Sequence, residues 1–531
     1  MEKVWNGWGD AQKQKPLPAI AHQVLTQLLG SATPLPQATL AQTAARLPPS
    51  RLPEHELYQI DAETRVRYAR GQSLPDWLAF KAGDVGVAPD AVAFPQNRDH
   101  LEQLLAFAGK HNATLIPYGG GTSVVGHINP CAGEQAVITV SMERMNRLLS
   151  LDTTSQLAWF EAGVRGPDLE AQLNARGYTL GHFPQSFEWS TLGGWIASRS
   201  SGQQSLRYGR IEQLFSSGVV HTPQGPLSLP SFPASSAGPD WREMILGSEG
   251  RLGILSEAEV RVQPLPEQEQ FYVSFFPSWQ AGLAAIREIA QNNVSASMMR
   301  LSHPTETNTQ LQLALPQPKL GRLQRLFRLL GLGDEPAMMT WGVSGSRRQV
   351  RQSRRAIKAI ARRHQGKLAL KGLGEHWRQN RYSAPYLRQS LWQHGYLVDT
   401  FETAANWDKV QALQEQMEAA LKQAAGDTPL LCYTHLSHVY KQGCSLYTTY
   451  VFPAQADFEA SLATWQKLKA AASTAVVKGG GTISHQHGVG KDHSPYLHHE
   501  KDPLTQAGIQ AVFDRYDPKG IMNPGTLMER L

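Results

Sequence analysis

The chain has 531 residues, of which 41% are hydrophobic and 18% charged, a balance that excludes an intrinsically disordered protein. This length exceeds what one hydrophobic core holds, so we expect two or more structural units with a cleft between them. Its 51 Lys and Arg against 45 Asp and Glu give a net charge of +6, which fits an anionic ligand or a membrane surface; no nucleic-acid-binding pattern accompanies it.

The three cysteines, Cys131, Cys432 and Cys444, are odd in number and lack CxxC spacing. This pattern argues against a disulfide framework or a thiolate zinc site and favours a reducing compartment. The N-terminus lacks a basic segment followed by an apolar one, and no run of about 18 apolar residues occurs. We therefore expect a cytoplasmic protein, with peripheral membrane contact as the only membrane association.

Residues 1–85 contain proline-rich stretches such as "ATPLPQ" and "RLPPSRLP", which predict short helices separated by proline breaks. From residue 88 the sequence "DAVAFPQNRDHLEQLLAFAGKHNATLIPYGGGTS" predicts a strand, an amphipathic helix, a second strand and a glycine loop. In the helix Leu101, Leu104, Leu105 and Phe107 lie on or near one face, and Asn97 or Asp99 can cap it.

Further strands are predicted by alternating, β-branched segments such as "AVITVSM", "AWFEAGV" and "LGILSEAEVRV". A second block begins after "QPLPEQEQ". Its strands are "FYVSFFPSW" and "SLYTTYVFP", and its helices are "QAGLAAIREIAQ" and "DKVQALQEQMEAALKQAA". The predicted fold class is therefore α+β, with two successive mixed layers.

Two basic amphipathic stretches lie in the second block, "KLGRLQRLFRLLGLG" and "SRRQVRQSRRAIKAIARRHQ". In the first, Leu320, Leu323, Phe327 and Leu330 recur at helical spacing among Lys and Arg residues. Such stretches are commonly solvated helix faces over a core stripe. The alternative is peripheral binding to anionic lipid, because a basic face beside a Leu and Phe face suits a bilayer interface.

The glycine loop "PYGGGTSVVG", residues 117–126, leaves a predicted strand and is followed by two hydroxyl residues. Its backbone N–H groups can close on a pyrophosphate. It has neither the GxGxxG spacing of a dinucleotide-binding turn nor the lysine of a Walker loop. Taken alone, a simple tight turn is about as plausible as a phosphate site.

Two companions strengthen the phosphate interpretation: "PQSFEWSTLGGWIASRSSG", whose glycines and hydroxyls suit a planar polar ligand, and "LGSEGRLGILSEAEV". With the final "DPKGIMNPG", these motifs resemble the FAD-binding module of the PCMH-type, or vanillyl-alcohol oxidase, flavoprotein superfamily. The resemblance implies that FAD is bound by Pro117, Tyr118, Gly119, Gly120, Gly121, Thr122, Ser123, Gln185, Ser186, Glu188, Ser190, Thr191, Ser198, Arg199, Ser200, Ser201, Glu249, Gly250, Gly253, Ile254 and Leu255.

Some members of this superfamily attach FAD to a histidine of the glycine loop. The corresponding position here is glycine or Thr122, and His127 lies beyond it. We therefore expect non-covalent FAD, with His127 as an ordinary loop residue.

The remaining motifs, including "WNGWG", "SMMRLSHPTE", "YSAPYLRQSL" and "GGGTISHQHGVGK", resemble alkyldihydroxyacetonephosphate synthases over nearly the whole chain. The resemblance implies that Arg388 binds a substrate phosphate, Arg300 supports the site and Tyr447 acts as acid or base. The three consecutive histidines of that family fall on His485, Gln486 and His487, so the middle histidine is missing. We list Tyr447, His485, Gln486 and His487 as candidate catalytic residues.

The histidines allow two other interpretations. His485 and His487 form HxH, and His435 and His438 form HxxH, so four imidazoles could hold a metal if the segments are neighbours. Ordinary packing is the other. The flavin motifs favour a site without a metal, because chemistry at flavin N5 needs none.

Two enzyme functions remain open. The first is a synthase-like transferase that acts through flavin N5 and exchanges the fatty acid of acyl-dihydroxyacetone phosphate for a fatty alcohol without net oxidation. The second is a FAD-linked dehydrogenase of a small 2-hydroxy acid such as D-lactate or glycolate, in which Arg388 binds the carboxylate.

The expected architecture is an N-terminal helical, proline-rich segment (1–85), a two-subdomain PCMH-type FAD-binding domain (86–266), an α+β cap domain (267–478) and a C-terminal segment that returns to the FAD domain (479–531). The expected partners are a small anionic substrate and a second copy of the chain in a homodimer, without nucleic acid.

Overall fold

The structure, a computed structural model, describes residues 3–529. Its N-terminal part consists of the short elements that the prolines predict. The helix nearest the site begins at Ser73, whose hydroxyl accepts a hydrogen bond from Asp76 N, and ends at Gly83 in the left-handed conformation. The elements are α1 (Ala19–Leu29), α2 (Leu40–Ala45), β1 (Tyr58–Gln59), α3 (Ala62–Arg67) and α4 (Leu74–Ala82).

The predicted strand, helix and strand before the glycine loop are confirmed. The elements are β2 (Ala91–Ala93), α5 (Arg98–His111), β3 (Thr114–Tyr118) and β4 (Val137–Ser141). They form a sheet of order β1-β2-β4-β3 in which β4 runs parallel to β2 and β3. Asn97 caps α5 by accepting from His100 N at 2.9 Å. Leu101, Leu104 and Leu105 are buried under the sheet, and Phe107 is half-buried.

A second, antiparallel sheet of order β5-β6-β10-β8-β9 follows. Its core contains Phe160, Ile196, Phe215 and Ala258, all fully buried. The elements are β5 (Leu148–Asp152), β6 (Leu157–Glu161), α6 (Gly166–Asn174), β7 (Tyr178–Thr179), α7 (Leu192–Ala197), α8 (Ser205–Tyr208), α9 (Ile211–Leu214), β8 (Phe215–Thr222), β9 (Gly225–Ser228), α10 (Arg242–Ile245), β10 (Ile254–Arg261) and β11 (Gln263–Pro264), which pairs with β7.

The second block is a seven-stranded antiparallel sheet of order β15-β12-β14-β13-β17-β18-β16. One face carries α11, α14, α17 and α18 over a core that includes Phe276, Trp341 and Leu436. The elements are β12 (Gln268–Phe276), α11 (Trp279–Gln291), β13 (Met298–Ser302), α12 (Pro304–Ala314), α13 (Gln317–Leu329), β14 (Ala337–Gly345), α14 (Arg347–Arg363), β15 (Lys367–Leu370), α15 (Lys371–Asn380), α16 (Ala384–Trp392), β16 (Tyr396–Asn406), α17 (Val410–Ala425), β17 (Leu431–Val439), β18 (Gly443–Pro453) and α18 (Phe458–Lys478).

After α18 the chain returns to the first sheet. Residues 479–493 form an irregular loop, followed by a 3-10 turn (Ser494–His499) and α19 (Pro503–Tyr516). Met522 then bridges to Leu115 in parallel, with Leu115 N donating to Ile521 O at 2.8 Å. The structure confirms the α+β class. The domain boundaries at 85, 266 and 478 stay predictions.

Across residues 3–529, no helix is both long enough and apolar enough to cross a membrane.

Candidate functional site

The three glycine-bearing motifs of the first block meet at one place. An added Cβ on Gly120 would lie 1.8 Å from the carbonyl oxygen of Trp189, and one on Gly119 would lie 2.3 Å from Thr191 Oγ1. The glycine loop therefore packs directly on the segment from Trp189 to Thr191, and only glycine permits this approach. The loop's backbone thereby joins two of the predicted cofactor segments.

Glu249, in the third motif, contacts the irregular loop of residues 479–493, here called the return loop. This buried carboxylate accepts hydrogen bonds from Val489 N at 2.5 Å and Gly490 N at 2.8 Å. Asn523 Nδ2 donates to the carbonyl oxygens of Glu249 (2.7 Å) and His127 (3.0 Å). The four motifs that predict a flavin site are therefore in mutual contact.

The predicted cofactor residues differ in what their side chains do. Ser190, Thr191, Ser200 and Ser201 are buried, and their hydroxyls contact protein atoms. Ser190 Oγ donates to Ser186 O at 3.0 Å, Thr191 Oγ1 accepts from Gly194 N at 3.4 Å, and the hydroxyls of Ser200 and Ser201 lie 3.2 Å from nitrogens of His182 and His438. Their contact with FAD stays a prediction.

Other predicted cofactor side chains are engaged elsewhere. Gln185 Nε2 donates to Arg381 O at 2.7 Å. Glu188 accepts from Tyr386 Oη at 2.9 Å and pairs with Lys13. The guanidinium of Arg199 pairs with Glu243 at 2.9 Å. These three side chains connect structural segments of the protein. For these residues, the predicted contact with the cofactor therefore applies to the backbone atoms.

A row of polar side chains crosses the neighbouring strands of the second block's sheet. His435 on β17 lies opposite Tyr447 on β18, and Tyr447 lies opposite Glu402 on β16. Directly opposite residues in adjacent strands project from the same face of a sheet. The imidazole of His435 stacks on the ring of Tyr447 with 5.0 Å between centroids. Chain alternation therefore places an imidazole, a phenol and a carboxylate side by side.

Arg300 and Glu306 close one end of this row. Arg300 Nη2 donates to Glu306 Oε1 at 2.7 Å and lies 3.2 Å from His435 Nδ1, which is 3.1 Å from the same carboxylate oxygen. Burial alone would raise the pKa of Glu306, but the charge of Arg300 holds it below its ordinary value. Burial and Arg300 lower the pKa of His435. Arg300 thus contacts His435 directly, and its role in supporting the site stays a prediction.

Tyr447 and His487 have complementary protonation states. Burial raises the pKa of Tyr447 to about 12, and its hydroxyl donates to Thr400 Oγ1 at 2.9 Å. Burial lowers the pKa of His487 to about 4. Their rings meet edge to face at 6.0 Å. At neutral pH the site therefore pairs a protonated phenol with a neutral imidazole, that is, a proton donor with a proton acceptor.

Arg388 on α16 has unpaired donor atoms. Its guanidinium lies over the ring of Trp77 at 4.6 Å, and Nη1 donates to Gln72 O. Gln72 N in turn donates to Ser123 O at the end of the glycine loop. Nε and Nη2 are buried without a hydrogen-bond partner. A buried guanidinium with two free donors is a built site for an anion.

The segment "ISHQH" is not an extended strand. Residues 483–487 form an irregular loop, so His485 and Gln486 do not point to opposite faces. Gln486 Nε2 donates to Glu402 Oε2, and His485 Nδ1 lies 3.2 Å from Glu402 Oε1. Both side chains therefore lie against one buried carboxylate, Gln486 as a hydrogen-bond donor and His485 at ion-pair distance.

The four-histidine set of the alternative metal interpretation is not assembled. Within residues 3–529, the possible ligand atoms of Glu402, His438 and His485 lie within 4.8 Å of one another, without His435 or His487. Arg210 Nη1 is 2.9 Å from His485 Nε2. If Nδ1 of this imidazole bound a cation, the ring proton would lie on Nε2. That N–H would then face the N–H groups of Arg210, which has no acceptor atom. This contact favours a hydrogen-bonded network over a metal centre.

Sequence reasoning missed Glu402, Arg210, Tyr440 and Glu306. Glu402 had a signal, because a carboxylate stands inside the otherwise apolar and hydroxyl-bearing segment "TFETAA". Arg210 had none, because its partners are 230 and 275 residues away along the chain.

Comparisons with known proteins agree with this geometry. Residues 89–228 match the family described as FAD binding domain, and residues 265–527 match FAD linked oxidases, C-terminal domain. The chain is 31% identical to the alkyldihydroxyacetonephosphate synthase of Dictyostelium discoideum, over 99% of this chain and 93% of the relative. A solved alkyldihydroxyacetonephosphate synthase structure superposes with a TM-score of 0.83 at 28% identity, covering 98% of both chains.

Relatives named for hydroxy-acid oxidation are more distant. The mitochondrial D-lactate dehydrogenase [cytochrome] of Arabidopsis thaliana is 24% identical over 83% of this chain and 73% of the relative. FAD is the cofactor of the present chain, and the PCMH-type fold is confirmed.

Non-covalent attachment of the flavin is a testable consequence. His127 Nδ1 is 2.7 Å from Ser123 Oγ, and its Nε2 is 3.2 Å from Glu249 Oε1, so both nitrogens already face protein groups. We expect acid precipitation of the holoprotein to release all flavin into the supernatant, measured by absorbance. A His127→Gln variant serves as the control, and flavin that stays with the wild-type pellet but leaves this variant would contradict the prediction.

Proposed function

Because the chain belongs to the alkyldihydroxyacetonephosphate synthase family, we propose that it replaces the fatty acid of acyl-dihydroxyacetone phosphate with a fatty alcohol, without net oxidation. Bound FAD supplies a ring whose N5 can exchange an electron pair with the substrate carbon. The protein's own side chains bind the phosphate, move the protons and exclude water.

The buried guanidinium of Arg388 carries the proposal. Its unpaired Nε and Nη2 offer two donors in the fork that matches a phosphate oxygen pair. Its contacts to Trp77 and Gln72 hold this fork beside the end of the glycine loop. Phosphate binding there would compensate a charge that is otherwise costly to bury.

Tyr447 and His487 are the proposed proton donor and acceptor. A neutral phenol can donate a hydrogen bond to the departing carboxylate, which leaves as the anion, and a neutral imidazole can take the proton that the incoming alcohol loses. The raised pKa of Tyr447 and the lowered pKa of His487 keep both in these forms across the neutral range. In this proposal His485 and Gln486 serve the site by their contacts to Glu402.

Gln486 is the observation that favours the dehydrogenase alternative. An amide cannot take up or release a proton at neutral pH, so it cannot do acid-base work as a histidine at this position could. In that alternative Arg388 binds the carboxylate of a 2-hydroxy acid such as D-lactate or glycolate. The hydroxyl proton would pass to His487.

We also propose that α13 contacts an anionic membrane surface, which suits a fatty substrate. Leu320 and Phe327 face the core, and Phe327 packs on Phe275 at 4.7 Å. The opposite face exposes Leu326 (43%) and Leu329 (85%). Its exposed basic residues are Lys319, Arg322, Arg325 and Arg328. An apolar edge beside a basic face is the pattern of interfacial helices.

In contrast, the apolar residues of α14 are buried against α11 and the sheet. No large hydrophobic side chain is exposed among residues 347–363. This helix has the solvated basic face that is the common alternative. A homodimer and a cytoplasmic location stay predictions.

The reaction class is tested with the anaerobic holoprotein. We expect acyl-dihydroxyacetone phosphate and a fatty alcohol to give an ether-lipid product without any electron acceptor, measured by mass spectrometry. We expect D-lactate and glycolate to leave the oxidised flavin absorbance unchanged. Bleaching by either hydroxy acid, without ether product, would establish the dehydrogenase instead.

Removal of the Arg388 guanidinium is the second test. We expect Arg388→Ala to lower kcat/KM for the phosphate substrate by about 100-fold or more, because a charge-assisted bidentate contact is lost. Arg388→Lys should recover only part of it, since a single ammonium does not reproduce the fork. Flavin content should match the wild type. Arg242→Ala, which removes a half-buried arginine paired with Asp240, is the control. Loss of flavin in Arg388→Ala would show that the residue has been misassigned.

Membrane contact is tested by co-sedimentation with vesicles. We expect the protein to bind vesicles containing phosphatidylserine at low salt, and Leu326→Ser with Leu329→Ser to weaken binding by about tenfold, since each exposed leucine buries apolar area at an interface. Leu504→Ser removes an equally exposed leucine, 83% accessible on α19, and should have no effect. Equal binding by all variants would contradict the role of α13.

A further inference from the structure

Arg210 connects three parts of the molecule that the chain brings together only in the folded state. Its Nη1 donates to Tyr440 Oη (3.1 Å) and lies 2.9 Å from His485 Nε2. Its Nη2 donates to Arg199 O (3.2 Å) and His485 O (3.1 Å), and its Nε pairs with Glu212 (3.1 Å). One guanidinium therefore connects the backbone at Arg199, the β17–β18 hairpin at Tyr440 and the return loop at His485.

These contacts fix the tautomer of His485. A guanidinium has no acceptor atom, so Nε2 must act as the acceptor toward Arg210. Tyr440 Oη, which receives a hydrogen from Arg210, lies 2.6 Å from the same nitrogen and donates its own hydrogen to it. The ring proton of His485 then resides on Nδ1, the nitrogen 3.2 Å from Glu402 Oε1.

Glu402 Oε1 lies beside this proton, at ion-pair distance from Nδ1. Its other oxygen, Oε2, accepts from Gln486 Nε2. The carboxylate is buried, and its strand places it directly opposite Tyr447. The series of contacts from Arg210 through His485 to Glu402 therefore ends beside Tyr447, the candidate proton donor. It also orients the side chain of Gln486.

We infer that Arg210 and Glu402 are positioning residues for the reaction at this site. Together they hold His485 in the Nδ1–H tautomer and thereby fix the loop that carries Gln486 and His487 against Tyr447. Neither residue touches the reacting atoms. The assignment of a reaction to the site rests on the proposed function, whereas the tautomer does not.

The first test reads the tautomer without any turnover. The holoprotein is labelled with nitrogen-15 in histidine, and His485 is assigned by the loss of its signals in His485→Gln. We expect a protonated Nδ1 and an unprotonated Nε2 in the wild type and a loss of this pattern in Arg210→Met. A protonated Nε2 in the wild type would overturn the inference.

The second test separates positioning from binding. We expect Arg210→Met to keep its flavin and to lower kcat by about 100-fold, the cost of a displacement near 1 Å, with KM changed by less than about threefold. Glu402→Gln should give a similar loss. The double variant should lose far less than the product of the two, because both act through His485. Multiplicative effects would overturn the inference.

Arg65→Met is the matched control. Arg65 is also a buried arginine, and it donates to Pro89 O (2.7 Å) and Pro48 O (2.9 Å) in the N-terminal part, away from His485. We expect it to leave kcat and the His485 signals unchanged. A loss of kcat equal to that of Arg210→Met would assign the effect to general destabilisation and overturn the inference.

A metal assay closes the alternative. Dialysis of the holoprotein against zinc should leave less than stoichiometric zinc in the wild type and in Glu402→Gln alike. One zinc per chain that Glu402→Gln removes would show that the cluster of Glu402, His438 and His485 is a metal site. Absence of ether-lipid product together with the expected tautomer would refute the proposed function and leave the positioning network intact.

Discussion

The site depends on the buried carboxylate of Glu249, which accepts backbone hydrogens from Val489 and Gly490. Asn523 completes the connection by donating to the carbonyls of Glu249 and His127. These contacts tie a loop from the end of the chain to the glycine motif near residue 250. Because charged hydrogen bonds in a dry environment are strong and leave few alternatives, the return loop has one position. That position brings His485, Gln486 and His487 to the sheet of the second block.

The same requirement, that a buried charge be paired, organises the rest of the site. Glu306 is paired with Arg300, and Glu402 with His485 and Gln486. In Arg388 two donor nitrogens, Nε and Nη2, are buried without a hydrogen-bond partner, and the guanidinium lies over the ring of Trp77. A buried guanidinium with two such donors suits an anionic ligand.

The protonation states of the site follow from burial. Burial raises the pKa of Tyr447 and lowers that of His487, so each group is neutral at physiological pH. Neutral groups cost less to bury than charged ones, and they can still give or accept a proton. The protein thus obtains acid-base groups in a water-poor site without an additional counterion for each.

The sequence by itself determined the α+β class, the strand, helix and strand before the glycine loop, the cofactor and the family. These rest on local signals: periodicity predicts elements, and glycine is required wherever backbones touch, as at Gly119 and Gly120. It also predicted Tyr447, His485 and His487 as catalytic residues, a role that stays a prediction. Tertiary structure alone decided the partners of these residues. The loop form of residues 483–487, the shared carboxylate of Glu402 and the contact of Arg210 with His485 depend on strand register and on chain segments hundreds of residues apart, and no local pattern encodes such pairings.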